Sequence, residues 1–160
     1  MRHLILAILS IAMISVSCGG GDDGPGDAVL AMFDALKAGN GATVVSYMST
    51  GALEELGTQL DMLKADPETA ASQLALMGVR IDAADIPDMT TAEFADAVFS
   101  SDMISGIMST AEVTIGEVVV DGESAMVEVT TSIMDETETH TIEVVREDGF
   151  WKVTELGMSL

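Results

Sequence analysis

The densest group of side chains that could do chemistry in this chain is Asp135, Glu136, Glu138 and His140. Carboxylates and an imidazole this close together could hold a cation, and a histidine beside a pocket can act as an acid or base near neutral pH. The spacing argues against a metal. It lacks the alternating oxygen ligands and central glycine of a calcium loop, and one histidine without cysteines is a poor zinc set. A charged hairpin tip is the simpler account, and no metal site is expected. The 12 methionines, Met77, Met103, Met108 and Met126 among them, form no recognisable copper-binding array; they read as adaptable core filling or an accommodating surface. The chain contains no phosphate-binding glycine loop, no nucleophile elbow and no cysteine–histidine pair. No catalytic residue and no cofactor are therefore assigned from the sequence.

Cys18 is the only cysteine, and it stands at the end of an apolar run from Leu4 to Val16 that follows Arg2 and His3. That run is shorter than the roughly 20 residues a helix needs to cross a hydrocarbon core, and its layout is that of a cleaved export signal over residues 1–17. Ser15-Val16-Ser17-Cys18 resembles a bacterial lipobox, with Ser15 where leucine is usual. The resemblance implies acylation of Cys18 by two or three chains, which is enough for a stable anchor where one chain would be reversible. The expected location is the bacterial cell envelope, outside the cytoplasmic membrane, on its periplasmic face or at the cell surface. Residues 18–26, the lipidated cysteine and GGGDDGPG, read as a flexible solvated tether. A tether of that length holds the domain only about 15 Å from the bilayer.

The remainder, 27–160, has the length of one domain. Six basic residues face 27 acidic ones, a formal net charge of −21. Such a surface repels phosphate, so nucleic-acid binding is excluded. Nearly half of the residues are hydrophobic (48%) and fall in periodic patterns, so the charge does not mark disorder.

Those patterns supply the elements that must position any site. Asp27 is expected to cap a helix to about Ala38, with Val29, Leu30, Phe33 and Leu36 on one face and Gly39-Asn40-Gly41 as its stop. A short helix over 42–49 turns Val44, Val45 and Met48 inward, with Tyr47 nearby. Leu53, Leu56, Leu60 and Leu63 recur at helical spacing up to Pro67, and another helix runs from Pro67 to Met77. Residues 79–89 lack sustained periodicity and read as a loop with room for a short extended piece. Thr90-Thr91-Ala92-Glu93 has capping-box spacing and opens one helix to about Met108.

From Thr110 the period changes to two, and strands take over. A three-residue loop, Val120 to Gly122, is expected between the first two strands, setting Ile115 opposite Val127 and Val113 opposite Val129. Asp135 to Glu138 are expected to form an acidic turn. The last hairpin, His140–Arg146 with Phe150–Leu156, takes Asp148-Gly149 as a two-residue turn, pairing Val144 with Val153 and Arg146 with Trp151. Arg146 could then lie over the indole ring.

Helices first and a four-stranded antiparallel meander last give an α+β fold, with the N-terminal helices packed on a C-terminal sheet. The segment Ala28-Val29-Leu30-Ala31-Met32-Phe33-Asp34-Ala35-Leu36-Lys37-Ala38-Gly39-Asn40 and the closing Glu147-Asp148-Gly149-Phe150-Trp151-Lys152-Val153 resemble the nuclear-transport-factor-2-like, or cystatin-like, domains of small bacterial lipoproteins of unknown function. The resemblance covers the first helices and 110–156 and leaves the helical middle, 51–108, as an enlargement. It implies a curved sheet wrapped around helices, a cone that often has a pocket. Tyr47, His140 and Trp151 are the candidates for lining it. The superfamily includes isomerases and dehydratases, for which Asp82 or Asp85 could supply the pocket carboxylate, as well as many non-catalytic domains. The expected function is non-enzymatic: a lipid-anchored binding or assembly domain that recognises a protein, a peptide or a small apolar ligand near the membrane. The alternatives are an isomerase- or dehydratase-type enzyme with a pocket acid–base residue, and a structural module that forms a homodimer.

Overall fold

The computed structural model describes residues 24–155. Cys18, the segment 1–17, most of the tether and Leu156 lie outside the described residues. The first helix, α1, spans Pro25–Lys37 and so begins two residues before the expected Asp27. Proline is suited to the first helical position because its missing N–H has no partner there anyway. Asp27 instead sits in the first turn, where its carboxylate accepts the Gly24 N–H at 3.0 Å. At the other end, Asn40 N–H reaches Ala35 O, Gly39 N–H reaches Leu36 O, and Gly39 has φ +64, the left-handed residue this kind of stop requires. Asn40 then caps α2, Gly41–Tyr47, by accepting from Thr43 N. Helices α3, Thr50–Lys64, and α4, Pro67–Leu76, follow as the leucine spacing and Pro67 predict. Residues 79–89 contain a short 3₁₀ turn, Ile86–Asp88, whose Ile86 is buried.

The single helix expected over 90–108 is two: α5, Thr91–Phe99, and α6, Asp102–Met108. Consecutive serines break it. Ser101 is buried and caps α6, while the Ser100 hydroxyl accepts the Gly41 N–H and donates to Asp96, both at 3.0 Å. Serine at a cap satisfies donors that a continuous helix would have to satisfy for itself. The capping box at Thr90 and Glu93 is present, with Thr90 N 2.8 Å from the Glu93 carboxylate. Those bonds to the Thr90 backbone and hydroxyl hold the Glu93 carboxyl below its ordinary value of 4.5.

The sheet is an antiparallel meander in the order β1-β2-β3-β4: β1 Glu112–Asp121, β2 Ser124–Ile133, β3 Glu136–Glu147 and β4 Phe150–Val153. Two expected details are corrected. The first loop is Gly122-Glu123, since Asp121 pairs with Ser124, and Gly122 alone carries a positive φ (+62). A bulge between Ile115 and Val118 then sets Ile115 opposite Val129 and Val113 opposite Thr131. The inserted residue restores the facing of Ile115 that an unbroken two-residue hairpin would have reversed. The acidic turn is also shorter than expected: Met134-Asp135 is the turn, and β3 starts at Glu136. Its polar first half is held by hydroxyl pairs across the strands, Thr130–Thr139 and Ser132–Thr137, each at 2.9 Å. The last hairpin pairs Val144 with Val153 and Arg146 with Trp151, as the sequence predicts.

This is the cone-like, nuclear-transport-factor-2-like α+β arrangement, with helices first and an open sheet last. Except at the turn end of β1, its helix-facing side is packed: Val29, Met32, Phe33 and Leu36 of α1 are buried with Val127, Val129, Ile142 and Val144 of the sheet. The enlarged middle has a second core, Leu60, Ala70, Leu74, Val79, Ile86 and Phe94, and half-buried Leu56 and Val98 border both. The extra helices therefore form a layer with apolar contacts of their own.

Candidate functional site

The last hairpin carries the site because both residues of its turn adopt positive φ, Asp148 at 52° and Gly149 at 86°. That is the turn whose twist matches two antiparallel strands, and it sets Trp151 across from Arg146. The Arg146 guanidinium lies 6.0 Å from the centre of the Trp151 ring, and its Nε donates to Gly149 O at 3.3 Å. Side chains alternate along β4, so Phe150 and Lys152 point to the other side. There the Lys152 ammonium stands 5.9 Å from the Phe150 ring centre and donates to Ser46 O at the end of α2.

Two further ties hold the hairpin against the helices. Ser49 N donates to Val153 O at 2.9 Å, beside a parallel bridge between Met48 and Val153. The Glu147 carboxylate accepts from Thr50 N at 3.0 Å and from the Thr50 hydroxyl at 2.9 Å, capping α3 from the sheet. Between the hairpin, α1 and α2 lies a hollow of about 340 Å³ lined by Ala28, Ser46, Tyr47, Gly149, Phe150, Trp151 and Lys152. Its volume is at the lower end of the roughly 300–1,000 Å³ of small-molecule sites. The lining offers aromatic faces for stacking, a phenol that can donate or accept, and an ammonium that can meet an oxygen.

Of the residues singled out in the sequence, Tyr47 and Trp151 line this hollow together and His140 does not. His140 pairs with Val129, six positions along β3 from the partner of Trp151, which is about 20 Å at the rise of a strand. Its side chain is 31% exposed, and its Nε2 is 3.8 Å from the exposed Glu138 carboxylate. Asp82 and Asp85 are exposed, in the connection before the 3₁₀ turn. Among the described residues no three histidine, cysteine, aspartate or glutamate side chains converge as a metal set would. Sequence reasoning missed Phe150, Lys152 and Ser46. The alternation of β4 was the available signal for the first two; Ser46 takes part through its backbone carbonyl in the tie to Lys152, which no side-chain pattern reveals.

A family model described as putative lumazine-binding matches residues 64–155, more than half of the chain and the whole of the sheet. Gly149, Phe150, Trp151 and Lys152 fall within the match; Ala28, Ser46 and Tyr47 precede it. No curated protein and no solved structure matches the chain.

Proposed function

The chain belongs to the putative lumazine-binding family, and on that premise we propose that it is a non-enzymatic domain that holds a small flat heteroaromatic ligand, of the lumazine kind, in the hollow beside Trp151. The observation that carries this reading is the meeting of Tyr47, Phe150, Trp151 and Lys152 around one hollow. A fused ring system with carbonyl groups on one edge matches that lining: the faces stack on indole or phenyl, and the carbonyls accept from the ammonium and the phenol. Arg146 and Glu147 fix the hairpin before any ligand arrives, which lowers the ordering cost of binding. An isomerase or dehydratase would need an acid–base carboxylate or imidazole at the hollow. Asp82, Asp85 and His140 are not among the residues that line it.

Native mass spectrometry of the chain from Gly19 to Leu160, purified gently from its own host, tests the reading. A few hundred daltons of extra mass that disappear on denaturation are expected; a bare mass that stays bare when lumazine is added would contradict it.

The second part of the proposal is location: the sequence supports a lipid on Cys18 that holds the domain at the outer side of a bacterial membrane. Fractionation of cells expressing the full chain and its Cys18→Ser variant tests this. The unmodified chain should pellet with membranes and the variant should not; equal partitioning would dispose of the anchor.

A further inference from the structure

The first strand of the sheet has an open side. β1 is an edge strand; among the described residues none of its backbone groups bonds to another backbone outside its ladder with β2, and Asp121 O, at its turn end, accepts the Ser124 hydroxyl at 3.2 Å. Its last turn-proximal stretch is apolar on both faces. Val118 and Val120 pair with Val127 and Ala125 on the helix-facing side, and Val119 pairs with Met126 on the other. All four of Val118, Val119, Val120 and Met126 are exposed, Val119 and Val120 at 53%. A long apolar edge with free backbone donors and acceptors is a template for another strand.

The charges around it decide which strand. Glu112, Glu117 and Asp121 lie on β1 and Glu123 and Glu128 beside it, and no lysine or arginine occurs between Arg80 and Arg146. A second copy of the chain would bring the same carboxylates to the same edge, each copy carrying a formal net charge of −21. Like charges opposed across a strand pair are destabilising, and opposite ones stabilising. The occupant this edge fits is therefore an extended peptide with a short apolar run flanked by basic residues.

We propose that β1 is a docking edge onto which a basic, apolar-centred peptide segment adds as a fifth strand, with Val118–Val120 gripping its apolar run and Glu117 and Asp121 its flanking cations. This site is at the opposite edge of the sheet from the hollow beside Trp151, so either can fail without the other.

The test uses the full chain and a labelled, end-capped synthetic peptide of three valines flanked on each side by alternating lysine and threonine, with its lysine-to-glutamate counterpart as control. Anisotropy should show saturable binding of the basic peptide that weakens as salt rises. The Glu117→Gln/Asp121→Asn double variant should weaken it at least tenfold, Val119→Lys should abolish it, and Glu54→Gln/Glu55→Gln on α3 should leave it unchanged. Hydrogen exchange should slow over 112–121 when the peptide is added. An equal loss in the α3 variant, or protection elsewhere than β1, would reduce the effect to unspecific attraction of a polycation. Binding that occurs only after residues 1–23 are removed, or a dimer of the free chain that Val119→Lys disperses, would show that the edge has another occupant; either overturns the proposal.

Discussion

Arg146 and Trp151 are the pair from which the site can be understood residue by residue. Their pairing was legible because Asp148-Gly149 before an aromatic strand fixes both turn and register, and two positions joined by register and opposite in character meet. Lys152→Gln should keep the fold and weaken ligand binding, since the ammonium is the strongest donor at the hollow; calorimetry of both proteins with lumazine checks this. Gly41 shows a different constraint. A Cβ there would press on the Asp96 carbonyl and the Ser100 hydroxyl, where α2 meets α5. Gly41→Ala should therefore cost about 1–3 kcal/mol in urea unfolding. Glu93 contributes through charge. Its carboxyl is held below 4.5 in the folded chain by Thr90, so its stabilisation is present above the unfolded value and lost as pH falls through the lower folded one. The melting difference between the unmodified chain and Glu93→Gln should be present at pH 7 and disappear in acid.

At the scale of elements, periodicity revealed most of the helices and all four strands, and it failed where a local hydrogen bond or an inserted residue overrode it. The sequence predicts one helix over 90–108 because Phe94, Val98, Ile104, Ile107 and Met108 form one apolar face across the break, although Ile107 is exposed. The serines that divide it act through bonds to Gly41 and to the first turn of α6, partners that spacing does not reveal. The expected register of β1 fails because the loop is Gly122-Glu123 and not Val120 to Gly122; the bulge at Gly116-Glu117 then restores the facing of Ile115, opposite Val129. His140 shares the face of Ile142 and Val144 by parity, yet parity says nothing of position along the strand, which separates it from Trp151. Element docking predicts its own losses. Phe33 of α1 is 2% exposed beneath the sheet, so Phe33→Ala should cost about 3–5 kcal/mol. Glu147→Ala removes the acceptor that ties β3 to Thr50 and should cost about 1 kcal/mol, read as a lower urea midpoint.

For the whole molecule, the excess of acidic residues and the filled face of the sheet act together. With α1 packed against the helix-facing side of the sheet, the Trp151 hollow lies at the β4 edge and the exposed valines of β1 at the opposite edge. Self-repulsion at a net charge of −21 should make stability rise with salt, as a higher melting temperature at 0.5 M than at about 10 mM sodium chloride. Trp151, the only tryptophan, reports directly on a ligand at the hollow. The measurement is the intrinsic fluorescence of the chain titrated with lumazine, alongside the Tyr47→Ala variant. Saturable quenching is expected in the unmodified chain and at least tenfold weaker quenching in the variant, with circular dichroism unchanged; no saturation, or the same curve for both proteins, would rule out a ligand at the hollow.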